Sequence, residues 1–275
     1  MKNFYKKTIV ITGGTSGIGL AAAELFASNG YTVFALSRRA EEGCRTTGGG
    51  CIYTYPCDVC SDASIDAAYT YITSITKDIG ILLHSAGFGI SGAAEDTSLA
   101  DAEAQMNTNY LGVLRVNRRF MPLMRAAKNG LVLVIGSVAG LISIPFQSHY
   151  SASKFALEAY VEALRMECAP FGIRAALIEP GDTKTAFTGA RAKNTAYLEN
   201  SPYGRACDKA VAKMEQDEKN GKSPESAAKV ALSLSKKKNP PVRAVVGVSY
   251  KTLVFLKRIM PARVVLFLVK KMYCG

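Results

Sequence analysis

Lys7–Ser28 reads KTIVITGGTSGIGLAAAELFAS, and this stretch decides the fold. Its opening residues, Lys7 to Thr12, form a short apolar run without polar alternation, as expected of a strand buried on both faces. Glycines at positions 13, 14, 17 and 19 then break the pattern. Ile18 to Ser28 returns apolar residues at helical spacing. Strand, glycine turn and helix in immediate succession open a parallel α/β sheet. The turn also has a chemical property: glycines let a backbone approach a ligand closely, and a helix N-terminus offers open amides to a diphosphate.

The same alternation continues along the chain. Tyr31–Leu36, Cys51–Tyr55, Ile79–Leu83, Leu131–Ile135, Ile173–Ile178 and Val242–Val248 read as further strands. Helices are expected from Ser61, as N-cap, to about Asp78, over Leu99–Ala127 with a bend, over Tyr203–Lys219 and over Ser223–Ser235, the last with Pro224 at its first position. Between Ala186 and about Ser201 periodicity fails, which suits a lid. The pattern predicts a single doubly wound α/β domain over residues 1–249. It has about seven parallel strands, helices on both faces, and ligands across the carboxyl ends of the strands. Residues 250–275 form a separate basic, apolar tail.

A second constellation lies at Gly136–Glu158, GSVAGLISIPFQSHYSASKFALE. Tyr150 and Lys154 are four apart, so on a helix they share one face. An ammonium one turn from a phenol favours the phenolate and brings its pKa towards the working range. Ser137, just past the strand Leu131–Ile135, supplies a hydroxyl at the ligand edge of the sheet. Together with the Thr12–Gly19 turn, spaced Gly13-x-x-x-Gly17-x-Gly19, this set resembles the short-chain dehydrogenase/reductase family over about Lys7 to Phe187. SVAGLISIPF at 137–146 and YSASKFALEAYVEALRMECAPFGIR at 150–174 look most like its hydroxysteroid and retinol dehydrogenase branch.

The resemblance implies reversible hydride transfer between a nicotinamide and a carbonyl or alcohol. Tyr150 is implied as proton donor or acceptor, Ser137 as hydrogen-bond donor to the substrate oxygen, and Lys154 as the group that lowers the Tyr150 pKa and binds the nicotinamide ribose. Asn109 is implied as the fourth member, holding a water against the lysine. The implied cofactor contacts are Gly13, Thr15, Ser16, Gly17, Ile18 and Gly19 in the turn, Asp58 and Val59 at the adenine, Ser85-Ala86-Gly87 where the family has Asn-Ala-Gly, and Pro180, Gly181, Thr183 and Thr185 at the nicotinamide. Ser37-Arg38-Arg39 follows the second strand, where cations accommodate a 2′-phosphate, so NADP is expected over NAD despite Glu41 and Glu42 nearby. Leu141, Ile142, Ile144, Phe146 and Phe187 are the candidate walls of a lipophilic substrate site. His84 reads as a packed strand-end residue. Arg115, Arg118, Arg119 and Arg125 mark an exposed face or a subunit contact, and the resemblance implies a homodimer or homotetramer. The rival reading is a nucleotide-bound sensor or scaffold that keeps the fold without turnover.

Hydrophobic content of 48% and charged content of 20% in 275 residues describe a globular protein with a sizeable core. Seven cysteines include Cys44, Cys51, Cys57 and Cys60, but only the Cys57–Cys60 spacing suits zinc, so no metal is expected. The apolar stretch behind the basic N-terminus is too short for a signal peptide, and the expected location is cytoplasmic. Residues 1–190 hold sixteen Lys+Arg and sixteen Asp+Glu, so the net charge of +12 lies wholly beyond them, and from residue 230 onward there are ten cations and no acid. No nucleic-acid module accompanies these cations. As a helix from Ala262, Arg263, Lys270 and Lys271 fall within roughly 100° of arc, as in a helix lying in a membrane interface. Its longest apolar run, Val264–Val269, is far short of the ~20 residues that span a bilayer. Two readings of the tail stay open: membrane contact, or packing over the pocket or a subunit.

Overall fold

The computed structural model describes residues 4–193 and 201–274. In chain order its elements are β1 (Thr8–Thr12), α1 (Gly17–Ser28), β2 (Thr32–Ser37), β3 (Gly43–Thr47), β4 (Gly50–Pro56), α2 (Asp62–Ile75), β5 (Ile81–His84), β6 (Ile90–Ser91) and α3 (Leu99–Met106). A π turn over Asn107–Leu111 joins α3 to α4 (Gly112–Ala126), followed by β7 (Gly130–Ile135), α5 (Ser148–Cys168), β8 (Ile173–Glu179), α6 (Phe187–Ala190) and β9 (Ala192–Lys193). The chain closes with α7 (Gly204–Lys219), α8 (Pro224–Ser235), β10 (Arg243–Val245), α9 (Val248–Ile259) and α10 (Ala262–Tyr273).

The main sheet runs β10-β8-β7-β5-β1-β2-β4-β3. Seven of its strands are parallel, and β3 alone is antiparallel, paired with β4 at the edge. The two-residue strands β6 and β9 pair separately. Alternation along β1 divides the core into two layers. Ile9 and Ile11 join Phe26, Ala22 and Ala23 of α1 and Ala227, Ala228 and Ala231 of α8, where alanines on both helices allow close approach. Val10 points the other way, into a layer with Ile65 of α2, Phe120 of α4 and Val161 of α5. The parallel connections then leave the strand carboxyl ends at one edge, where the site forms.

The structure differs from the sequence expectations in several places. The segment before Cys51 is not loop alone: Gly43–Thr47 forms an edge strand that turns back through Gly48-Gly49. Four of its five residues are exposed, so it carries no apolar pattern to announce it. The last strand is shorter than expected, three residues from Arg243. Arg115 and Arg119 meet Asp62 and Asp66 of α2 at 3.9 and 2.6 Å within the chain, and Arg119 lies 3.7 Å from the centre of the Tyr69 ring. These two therefore serve the contact of α2 with α4, whereas Arg118 and Arg125 are exposed. The tail is two helices, broken where Pro261 holds Met260 extended, with ψ 141°. Of the expected lid, residues 194–200 lie outside the described residues.

Fully buried Phe26 and outward-facing Phe267, 64% exposed on α10, calibrate this packing. Phe26→Ala is expected to cost about 3–5 kcal/mol of stability, and Phe267→Ala less than about 0.5 kcal/mol, by urea denaturation. Equal losses contradict the assignment of core and surface.

Candidate active site

The glycine turn supplies one end of a crevice. Gly19 touches the preceding backbone so closely that a Cβ there would stand 2.1 Å from the Gly13 carbonyl oxygen. The Ser16 side chain makes no capping hydrogen bond to α1, and no acid occupies the helix's first turn. Open amides and an unopposed dipole therefore face the crevice, which fits a diphosphate. Thr15 donates from Oγ1 to Ser37 Oγ at 2.7 Å, tying the turn to the end of β2. Just beyond, Arg38 and Arg39 are exposed, and among the described residues no ion pair holds them.

Asp58 accepts from the Cys60 amide at 2.9 Å, and its own amide donates to Ser64 Oγ at 2.9 Å, so its carboxylate also shapes its loop. Val59 is buried against Gly112. Ser85 and Ala86 line the crevice, and both their amides donate to Thr12 Oγ1 at 3.3 Å. The link between β5 and β1 thus runs through the backbone of Ser85 and the Thr12 hydroxyl, so replacing the family's Asn leaves this join intact. His84 is a packing residue: its Nε2 meets Asn117 Oδ1 at 2.9 Å, and burial lowers its pKa to about 4.

The other end holds the proton-bearing groups. Ser137 leaves β7 at the start of a 3-10 turn, and its Oγ accepts from the Ala139 amide at 3.0 Å. The same hydroxyl neighbours that of Tyr150. Tyr150 and Lys154 stand on one face of α5, with Lys154 Nζ 5.7 Å from the Tyr150 ring centre. Lys154 is buried and donates to the Ile135 carbonyl at 2.8 Å.

Burial dominates the electrostatics of this pair. Burial pushes the Tyr150 phenol up to about 12, opposed by the neighbouring Ser137 hydroxyl. Burial also brings the Lys154 ammonium down to about 8, opposed by Glu158 one turn further along α5. Desolvation thus acts on both groups, and the Lys154 amine is turned to the Ile135 carbonyl. Behind Lys154, Arg243 reaches Glu158 at 2.7 Å and Glu179 at 3.5 Å. One guanidinium serves two adjacent buried carboxyls, and burial with the Glu158 charge raises Glu179 to about 8.

Asn109 sits on the π turn, 1% exposed. Its Oδ1 accepts from the Phe88 amide at 3.1 Å, and its Nδ2 donates to the Phe88 carbonyl at 3.0 Å and to Ser153 Oγ at 3.1 Å. Both amide hydrogens are thereby committed, and this side chain fixes the cavity wall to α5. Gln105 reinforces it, accepting from the Ile90 amide at 2.8 Å and donating to the Phe88 carbonyl at 2.6 Å.

Beyond these groups opens a cavity of about 770 Å³. Ile142, Ile144 and Phe187 line it, and the Phe187 ring lies 5.6 Å from that of Tyr150. Leu141 and Phe146 do not. Phe146 has a φ of 61° and packs on Cys207 and Val211 of α7, while Leu141 joins the cluster of Val138, Ile142 and Val265. Their place is taken by the tail: Leu253, Met260, Val265, Leu268 and Met272 form the roof. Sequence reading left this covering role as one of two alternatives. A buried pair also escaped it: Arg191 binds Glu218, which accepts from Thr188 Oγ1 at 2.6 Å. These partners are 27 residues apart and share no local pattern.

The roof is latched at Tyr250. Its ring lies so close over Gly181 that a Cβ there would be 2.1 Å from it. Its hydroxyl accepts from the Asp182 amide at 3.0 Å and donates to the Asp182 carboxylate. Pro180, Gly181, Thr183 and Thr185 thus lie between the glycine turn and α9, with Thr185 against Gly17.

A parallel sheet with a glycine turn after β1 and a Ser, Tyr and Lys set at its carboxyl edge defines a dinucleotide-dependent oxidoreductase fold. The chain belongs to the short chain dehydrogenase family, which it matches over residues 7–196. It is an oxidoreductase of the retinol dehydrogenase-like branch. It is 35% identical over 239 residues to a 3-ketodihydrosphingosine reductase of Bacteroides thetaiotaomicron, covering 87% of each chain. It is 30% identical over 271 residues to retinol dehydrogenase 8 of Bos taurus, covering 93% of this chain and 86% of that one. A short-chain dehydrogenase/reductase from Burkholderia phymatum, solved in complex with NAD, shares the fold at a TM-score of 0.79 and 23% identity, over 93% of this chain and 94% of that one.

Tyr250→Phe removes both latch hydrogen bonds and keeps the ring. Loss of a charge-assisted bond, about 1.5–3 kcal/mol, is expected to weaken amide protection across α9 roughly ten- to hundredfold by hydrogen exchange. Unchanged protection of Lys251–Ile259 contradicts the latch.

Proposed function

We propose that the protein is an NADP(H)-dependent oxidoreductase interconverting a carbonyl and an alcohol on a lipophilic substrate. The observation that carries this reading is that Ser137, Tyr150 and Lys154 face one cavity whose remaining walls are largely apolar. A nicotinamide dinucleotide supplies or takes up the hydride when bound. The amides of Gly17, Ile18 and Gly19 receive its diphosphate, and Pro180, Gly181, Thr183 and Thr185 border its nicotinamide end.

Ser137 donates to the substrate oxygen, where a positioned donor contributes a few kcal/mol as negative charge develops. Tyr150 gives that oxygen its proton in reduction and recovers it in oxidation. Burial holds the phenol protonated at pH 7, ready for the donor role. Lys154 steadies the phenolate left behind. Asn109 acts as a positioning residue through Phe88 and Ser153. The compounds in the relatives' names, 3-ketodihydrosphingosine and retinol, are largely hydrocarbon, in keeping with such walls. Tyr150→Phe is expected to lower carbonyl reduction by at least about 10² with cofactor binding retained; a loss within tenfold rejects the proton role.

Arg38 and Arg39 support the 2′-phosphate preference, as exposed cations just past β2. Arg38→Ala is expected to cost about 1.5–3 kcal/mol in NADPH binding and much less in NADH binding. Equal losses for the two cofactors, by fluorescence titration, count against it.

The outer face of the roof supports peripheral membrane contact. Val248, Phe255, Ile259, Leu266 and Phe267 are 59–77% exposed and stand among cations with no acid from residue 230 onward. No helix among the described residues is long and apolar enough to cross a membrane. Each cation near an anionic surface contributes about 1 kcal/mol, with the apolar side chains inserting beside it. The protein is expected to sediment with anionic vesicles, and a Phe255→Asp, Phe267→Asp double variant to remain in solution. Failure of the unaltered chain to sediment at low salt refutes this contact.

A further inference from the structure

A second cavity of about 610 Å³ lies between α5 and α10. Pro145, Ser148, Ala152 and Phe155 form one side, and Leu266 and Cys274 the other. Lys270 at its rim is the only charged residue among those lining it. This groove adjoins the substrate cavity across Ile144 and Val269, which line both. Apolar surface is left open along it, with Phe155 40% and Leu266 59% exposed.

We infer that the groove is the exit path for a flexible hydrocarbon chain, and that the substrate is a long, unbranched alkyl carbonyl or alcohol. Its reacting carbon stands at Ser137 and Tyr150, and its chain passes between Ile144 and Val269 to lie between α5 and α10. The inference rests on the proposed function for the position of the reacting end. An alkyl chain rotates about each bond and so can follow two adjoining cavities, which a rigid ring system does not. Groove and cavity then act as one binding site, in which each further methylene taken from water tightens binding roughly fourfold.

The test is binding of 1-hexanol, 1-octanol, 1-decanol and 1-dodecanol to the full chain by calorimetry. NADPH is kept present so that no alcohol is oxidised. The expected result is a Kd that falls roughly fourfold per methylene across the series. Ala152 is exposed on α5 and borders the groove alone, so Ala152→Trp fills the groove without entering the first cavity. That variant is expected to bind hexanol within about twofold of the unaltered protein, which also shows that it is folded, and to bind dodecanol at least about tenfold more weakly. A Kd that stops falling beyond hexanol overturns the inference. So does dodecanol binding unaffected by Ala152→Trp, the result expected if a second copy of the chain covers the groove. Oxidation of the same alcohols with NADP+ separates the two readings: a chain-length gain in binding without turnover removes the proposed function and leaves the groove assignment standing.

Discussion

Both faces of β1 are buried, and most of the architecture follows from that constraint. A strand with Ile9 and Ile11 on one side and Val10 on the other needs helices on both, so its parallel neighbours are reached through crossovers. Crossovers place the carboxyl ends of β1, β5, β7 and β8 along one edge. Gly13, Ser85, Ser137 and Pro180 each follow one of those ends, so residues far apart in sequence arrive in a single crevice. The chemistry is a consequence of how the core is covered.

What could be read from the sequence follows the same logic. The strands Thr8–Thr12, Gly130–Ile135 and Ile173–Glu179 announce themselves because burial on both faces demands largely apolar runs, broken in the third by Arg174 alone before its closing Glu179. Gly13 to Gly19, Ser137, Tyr150 and Lys154 are legible because each is fixed by local spacing. The edge strand Gly43–Thr47 is not, being exposed and held only by β4. The cavity roof is not either: Leu253, Val265 and Met272 meet the site only through the way α9 and α10 fold back, which no local pattern encodes. Phe146 shows the converse: an apolar side chain expected among the walls packs instead on Cys207 and Val211 of α7.

Removing water from one compact region acts on acids and bases in opposite directions. The phenol of Tyr150 and the carboxyl of Glu179 rise, while the ammonium of Lys154 and the imidazole of His84 fall. Each shift favours the uncharged form, as expected of groups taken out of water. Arg243, the cation beside Glu158 and Glu179, is held at the margin of this region and bridges to surface Glu162 at 2.7 Å. In such a medium of low dielectric the few oriented donors count for more than they do in water.

The π turn at Asn107–Leu111 amounts to one residue too many in an otherwise regular helix. A single residue turns everything beyond it by roughly 100°. Upstream, Gln105 is aimed at Phe88 and Ile90; downstream, Val113, Val116 and Phe120 are aimed at the sheet. No uninterrupted α-helix satisfies both directions, so shortening the chain by one residue here would mend the helix and misalign one half of it. The surplus residue is the phase correction between a helix that shapes the cavity and one that packs the core, and Asn109 stands at the joint.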